Sequence, residues 1–373
     1  MAGGNPYHLT SNLNWPPFWM QLVFLFKKIS LATHWPFDIV VRGFLVVGES
    51  ALAWLLYVTV KEYTKCKDAT ELLVFGVAVN PVCILQVCQH CNFDVLIGFW
   101  VLLTIYMLLR FQDRHESRFW LCACFALGMG TLTKTVPLSL MPLLLLSIRK
   151  VKPVEQMIGL ILFLGPVILA LSILYVLGPE DIKTNVFGYR SISGYFGLPG
   201  LLACWGASRW LAIYPYGFEV IYGIGWICLA AWLWSKETLN QLQIISVAVI
   251  ILLAIPTLGP GYGPQYVYWF LPLLVLMYPL VEGKFRLLLM ILYGIGMVTY
   301  LTEYSLFPGH GAILFSIVSS PALFNLATRL ASPAGETFLR LPLWMLYFIL
   351  LAWLGTTIGK EMARDFRNAW SRR

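Results

Sequence analysis

Apolar runs long enough to cross a bilayer follow one another along almost the whole sequence, with only short charged stretches between them. A membrane helix needs about twenty mostly apolar residues. Only 12% of the residues are charged, whereas soluble domains carry about 25%. The sequence therefore predicts an all-α, polytopic membrane helix bundle.

The apolar runs divide into eleven predicted spans, some of them short enough to be tilted or buried inside the bundle. They cover residues 39–60, 72–88, 93–111, 119–133, 136–148, 157–177, 210–234, 242–258, 266–280, 287–302 and 341–359.

The segment before the first span is also apolar in part. "WPPFWMQLVFLFKKI", residues 15–29, starts with Pro16-Pro17 and ends near Lys27-Lys28. Proline suits the first turn of a helix, and basic residues beside an apolar face are typical of a helix lying at the membrane surface. The sequence predicts an arm at 1–38 with an interfacial helix, a bundle at 39–359 and a basic tail at 360–373.

Basic residues cluster after alternate spans. Lys and Arg mark cytoplasmic loops, so the clusters share the cytoplasmic face if successive spans run antiparallel, which also makes the C-terminus cytoplasmic. The clusters are Lys61, Lys65 and Lys67; Arg110, Arg114 and Arg118; Arg149, Lys150 and Lys152; Lys236; Lys284 and Arg286; and Lys360, Arg364, Arg367, Arg372 and Arg373.

The opposite face collects uncharged polar groups and a few titratable ones. Gln89, His90, Asn92 and Asp94 occupy the turn between two apolar runs; residues 89–94 are called the seam below. Lys134 lies between two further apolar stretches. Positive charge is unusual at this face, so we expect Lys134 to have an anionic partner.

Two loops on the same face are rich in glycine and aromatic residues. "NVFGYRSISGYFGLPG", residues 185–200, carries Tyr189 and Arg190. "GPGYGPQYVYWFLP", residues 259–272, places Gln265 and Tyr266 at the start of a helix. Without a binding role, residues 185–200 would be an ordinary mobile loop and residues 259–272 a helix end with aromatic residues at the membrane interface.

Together these groups predict a site for a lipid-linked phosphosugar. His90, Lys134 and Arg190 suit a phosphate. Amides, hydroxyls and aromatic rings suit a sugar, and apolar walls suit a lipid tail. The net charge of +8 is spread over loops between spans, which is typical of a topology signal and not of nucleic-acid binding. We expect no metal and no cofactor.

At these residues the chain resembles the GT-C glycosyltransferases, which take a sugar from a polyprenyl-phosphate carrier. It is similar to the dolichyl-phosphate-glucose glucosyltransferase and GPI mannosyltransferase I group. The resemblance rests on "GGNPYHLTSNLNWPPF", "RGFLVVGESALAWLLY", "QHCNFD" and "LTKTVPLSLMPLLLL", and more weakly on "FGYRSISGYFGL" and "GYGPQYVYWFLP".

The resemblance implies an inverting hexosyltransferase, with mannose or glucose as the sugar and a lipid-linked glycan or other acceptor. It implies that Tyr7 and Asn14 in the first external loop contact substrate, and Asn14 stands where some members carry an Asp. The family's catalytic acid lies at the outer end of a first membrane helix, and we expect that helix to be encoded upstream of Met1. Asp94 is the remaining candidate for the base.

Two other functions remain open at this point. A transporter or flippase for a polar or lipid-linked substrate would show matching halves with interrupted helices. However, the two apolar segments on either side of Lys134 have no counterpart in the second half. A non-catalytic membrane subunit, with a protein partner, is the other possibility. Membrane lipids surround any of these proteins, in the bacterial plasma membrane or, alternatively, the endoplasmic reticulum.

Overall fold

The computed structural model describes residues 16–64, 76–77, 80–146, 148–177, 180, 183, 196–306 and 320–370. Tyr7, Asn14, Tyr189 and Arg190 lie outside these residues.

The described chain is a bundle of helices. The α-helices are α1 (Pro17–Thr33), α2 (Phe37–Tyr63), α3 (Pro81–Ile84), α4 (Asp94–Arg114), α5 (Ser117–Thr133), α6 (Pro153–Leu177), α7 (Gly197–Cys204), α8 (Ser208–Ser235), α9 (Gln241–Leu258), α10 (Val267–Met277), α11 (Gly283–Leu306), α12 (Pro321–Leu330) and α13 (Pro333–Trp370). One π-helical turn (Leu85–Gln89) and short 3₁₀ helices, the longest at Val136–Leu145, connect some of them.

Among the described residues, seven helices are long and apolar enough to cross a membrane: α2, α4, α6, α8, α9, α11 and α13. Each of them coincides with one of the eleven predicted spans. The chain is thus a multi-pass helical membrane protein, and the predicted fold class is confirmed.

The other four predicted spans are less regular. The prediction for 72–88 falls partly outside the described residues, and its described end is helical from Pro81 to Gln89. The span at 119–133 is the 17-residue helix α5. In the span predicted at 136–148, Val136–Leu145 is a 3₁₀ helix with Pro137 and Pro142 inside it, because proline cannot donate the hydrogen bond of an α-helix.

The fourth, at 266–280, is the short helix α10, and it forms the centre of the bundle. All of its residues from Val267 to Met277 are buried. It packs against α4 and α9, which are themselves mostly buried. Outer helices instead carry exposed apolar side chains, such as Val47, Ile161, Ile221 and Val298, as expected for surfaces that face lipid tails.

The Lys- and Arg-rich loops contact one another at one end of the bundle, which is called the basic end below. This is the arrangement expected if successive spans run antiparallel. The contacts are Arg110 to Glu62 at 3.4 Å, Lys236 to Asp365 at 2.6 Å, Arg149 over the ring of Trp234, and the Leu239 N–H donating to Gln112 Oε1. The seam and Lys134 lie at the opposite end, called the polar end.

Two segments that the predicted spans leave as connecting loops, 178–209 and 303–340, contain helices. Within 178–209, α7 runs from Gly197 to Cys204 and α8 already starts at Ser208. Within 303–340, α11 continues to Leu306, α12 is a separate helix, and α13 starts at Pro333. Charged and small residues in these segments interrupt the apolar runs from which the spans were predicted. A helix can still continue through them, because each added residue extends a helix that is already formed.

Helix α13 also runs through the boundary drawn at residue 359 and ends at Trp370. Its last turns contact the basic end through Asp365 and through Glu361, which accepts a hydrogen bond from Gln243 Nε2 at 2.6 Å.

Candidate active site at the polar end

The seam is a tight reversal of the backbone between α3 and α4. Asn80 caps α3 by accepting a hydrogen bond from Val82 N–H. The helix then widens into the π-turn, where His90 N–H donates to Leu85 O. Cys91 follows with a φ of 52°, a conformation that few residues other than glycine adopt. Because π-turns and such conformations concentrate at functional sites, the seam is a candidate site.

Asn92 fixes the start of α4. Its Oδ1 accepts a hydrogen bond from Asp94 N–H at 2.8 Å, which satisfies a backbone donor that the helix itself leaves unpaired. Gln89 and His90 are exposed, Asn92 is half-buried, and Asp94 is buried. The reversal therefore presents His90 and Asn92 outward while Asp94 faces the interior.

Asp94 forms an ion pair with Lys134. Lys134 Nζ lies 2.8 Å from Asp94 Oδ1 and 3.1 Å from Oδ2. The Asp94 side chain is 0% exposed and that of Lys134 is 16% exposed. A buried carboxylate without a partner would be costly, so the pair accounts for both charges. The anionic partner expected for Lys134 from the sequence is thus found, and it is Asp94.

The break after α5 gives Lys134 its position. Lys134 itself is extended, with φ −157° and ψ 146°, between the end of α5 and the 3₁₀ helix. Helix α5 packs along α4, which brings this break beside the start of α4. The two charges, 40 residues apart in sequence, therefore meet at the polar end.

Aromatic rings surround the Lys134 ammonium. Its Nζ lies 5.1 Å from the ring centroid of Trp269, 5.3 Å from that of Tyr266 and 5.7 Å from that of Phe93. Tyr266 and Trp269 stack on each other at 4.0 Å. Ring faces attract a cation and hold it with little water. Tyr266, predicted from the sequence, thus belongs to the same site, and half-buried Gln265 precedes it in the chain.

His90 joins the seam to α11. Its Nδ1 lies 2.6 Å from the hydroxyl oxygen of Tyr304, a residue 214 positions away. Which atom donates depends on the imidazole tautomer. The contact holds one side of the imidazole and fixes the seam against α11.

A second group of buried charges lies on α11 and α13 and was missed in the sequence. Arg340 bonds Glu303 through its Nε, and its Nη1 lies 2.8 Å from Glu336 Oε2. Arg340 also lies over the ring of Tyr262, which is 6.1 Å from that of Tyr266. The i, i+4 spacing of Glu336 and Arg340 could have been recognised in the sequence as a pair on one helix face. The pairing of Arg340 with Glu303 could not, because it joins two helices.

Glu49 is another carboxylate reaching the interior, from α2. Its Oε2 accepts a hydrogen bond from the Tyr268 hydroxyl at 2.9 Å. Tyr268 in α10 is fully buried. This contact joins α2 to the centre of the bundle and lies apart from Lys134.

Comparison with known proteins bears on the N-terminal half of the bundle. The family profile described as dolichyl-phosphate-mannose-protein mannosyltransferase matches residues 16–175, which contain α1 to α5, the seam, Lys134 and most of α6. A search of curated proteins found no match.

Among solved structures, the chain is similar to ArnT from Cupriavidus metallidurans bound to undecaprenyl phosphate, with 11% sequence identity and a TM-score of 0.47. The similarity covers 93% of this chain and 68% of ArnT. The family profile covers fewer than half of the residues, and it makes residues 16–175 similar to the dolichyl-phosphate-mannose-protein mannosyltransferases.

Proposed function

We propose that this protein transfers a hexose, mannose or glucose, from a polyprenyl-phosphate carrier to a lipid-linked glycan or another acceptor at the polar end of the bundle. The observation that carries the proposal is the buried Asp94–Lys134 pair within a cage of aromatic rings beside the seam. It lies inside the segment that matches the mannosyltransferase family.

Lys134 is suited to act on the donor phosphate. An ammonium group has three donor hydrogens, and Asp94 accepts from Lys134 Nζ through one carboxylate. The side chain keeps 16% of its surface exposed. A phosphate oxygen arriving from the polar end would meet a fixed positive charge in a poorly hydrated cage. Fixed charge of this kind stabilises negative charge that develops on a leaving group.

Asp94 is better suited to positioning Lys134 than to accepting a proton from the acceptor. Both carboxylate oxygens lie within hydrogen-bonding distance of Nζ, and the side chain is 0% exposed. A general base has to reach the hydroxyl that it deprotonates. We therefore assign Asp94 a positioning role.

The reaction is a displacement at the anomeric carbon. The acceptor hydroxyl attacks that carbon, a new glycosidic C–O bond forms, and the bond to the phosphate oxygen breaks with inversion. Polyprenyl phosphate leaves with the electron pair, and the hydroxyl proton passes to a carboxylate base. Lys134 and His90 stabilise the leaving phosphate, while Tyr266 and Trp269 offer apolar ring surface to the sugar.

A transfer assay tests the proposal. The full chain, reconstituted in vesicles, is given radiolabelled polyprenyl-phosphate mannose or glucose together with membrane lipid extract as acceptor source. We expect label to move to a new product with wild-type protein, and this transfer to be lost with His90→Ala.

The matched control is His115→Asn, which changes a histidine at the basic end and keeps a residue type that tolerates the left-handed φ of 55° there. It should transfer normally. Equal transfer by wild type and His90→Ala would contradict the proposal, provided that both proteins unfold at the same temperature.

A further inference from the structure

A long apolar cleft runs between α10 and α11, away from the seam and Lys134. Its volume is about 610 Å³, within the range of small-molecule and lipid sites. Its walls include Leu274, Met290, Gly296 and Tyr347. From Arg286 to Tyr300, both of which line it, α11 advances about 21 Å. The cleft is therefore long enough for an extended hydrocarbon chain.

The two ends of the cleft differ in access. At the polar end, Phe270, Tyr300 and Tyr347 are 1–2% exposed, and the Tyr300 hydroxyl donates to Pro264 O at 2.5 Å. Towards the basic end, Met290 is 54% exposed. A chain would therefore enter from the basic end and stop below Tyr300.

Arg286 supplies the positive charge at the open end. Its Nε donates to Val281 O at 2.8 Å, and its guanidinium lies 5.4 Å from the ring of Tyr278. Within the described part of the chain this is the only hydrogen bond recorded for the group, so its terminal nitrogens can meet a ligand. Thr64 adds a hydroxyl at the same end.

We propose that this cleft binds one anionic glycerophospholipid from the leaflet at the basic end, with its phosphate on Arg286 and one acyl chain below Tyr300. Basic groups between membrane helices on the cytoplasmic side are a recurring site for acidic headgroups. The donor of the proposed reaction carries its phosphate at the opposite end, so the cleft is a separate site. The inference does not depend on the transfer activity.

Lipid retention by the purified full chain tests the headgroup. The protein in neutral detergent is titrated with phosphatidylglycerol or phosphatidylcholine of the same acyl chains, and bound lipid is counted by native mass spectrometry. We expect one phosphatidylglycerol to bind, about fivefold tighter than phosphatidylcholine. Arg286→Gln should remove the preference, Arg286→Lys should keep it, and Lys284→Gln, an exposed charge two residues away, should leave it unchanged.

A pair of glycine variants tests the acyl chain. Gly296 lines the cleft, whereas a side chain on Gly294 of the same helix would meet open space. Gly296→Leu should lower the binding of both lipids, and Gly294→Leu should not. Equal binding of the two lipids, an unaffected Arg286→Gln protein, or displacement of phosphatidylglycerol by undecaprenyl phosphate would overturn the proposal.

Discussion

At the scale of single residues, the Asp94–Lys134 ion pair contributes both to folding stability and to the proposed reaction. Lys134→Gln leaves the buried Asp94 carboxylate without its cation, so we expect the free energy of unfolding to fall by about 3–5 kcal/mol. Adding Asp94→Asn removes the remaining charge and should restore most of the loss. Thermal unfolding in detergent measures both variants. If the Lys134→Gln protein were as stable as wild type, water or another group would have to stabilise the charge of Asp94.

The hydrogen bond between Tyr304 and His90 offers a second test at this scale. Tyr304→Phe removes the hydroxyl that lies 2.6 Å from His90 Nδ1. We expect a stability loss of about 1 kcal/mol and a clear fall in transfer rate, because the imidazole is no longer held.

Tyr214→Phe is the matched control. It removes a hydrogen bond of similar length, 2.8 Å to Leu258 O, at a tyrosine that does not contact the seam. It should lose similar stability and transfer normally. If the two variants transferred equally well, the orientation of His90 would not matter to the reaction.

At the scale of helices, two asparagine side chains at helix starts separate folding from function. Asn92 accepts from Asp94 N–H at the start of α4, and Asn240 accepts from Gln243 N–H at the start of α9. Replacing either by alanine should cost about 1 kcal/mol. Only Asn92→Ala should also lose transfer, because α4 carries Asp94. Unfolding and transfer assays on both proteins check this, and parallel losses of transfer would assign Asn92 a purely structural role.

The sequence was informative where local chemistry decides the structure. The seam and the helix start at Gln265 and Tyr266 follow from glycine, proline and asparagine at fixed offsets, whereas the segment predicted as a span at 136–148 is a 3₁₀ helix at Val136–Leu145. A lysine at the polar end also predicted an anionic partner. That this partner is Asp94 depends on how α4 and α5 pack, which no local pattern specifies.

The charged residues of α11 and α13 could not be placed in helices from the sequence for a related reason. Glu303, Glu336 and Arg340 interrupt apolar runs, so a search for apolar windows ends the helices there. The charges are tolerated because Arg340 pairs with Glu336 within α13 and with Glu303 of α11, 37 residues away. The pairing with Glu303 is tertiary, and it becomes visible only in the folded chain.

At the scale of the whole molecule, the positive charges predict which end faces the cytoplasm. In a variant with all cysteines replaced by serine, we expect Ser208→Cys at the polar end to react with a membrane-impermeant maleimide in intact bacterial spheroplasts. Lys360→Cys near the basic end should react only after permeabilisation, because Lys and Arg stay on the cytoplasmic side. The reverse pattern would place the proposed site in the cytoplasm and rule out transfer at the outer face.

Binding of the donor phosphate by Lys134 is tested by steady-state kinetics of the Asp94→Asn/Lys134→Gln protein. This variant carries no unpaired buried charge, so misfolding does not mask the result. We expect the KM for the donor and the inhibition constant of free polyprenyl phosphate both to rise at least about tenfold, as for a lost hydrogen bond to a charged group, while the KM for the acceptor stays the same. Unchanged constants for donor and polyprenyl phosphate, or an equal rise for donor and acceptor, would contradict it.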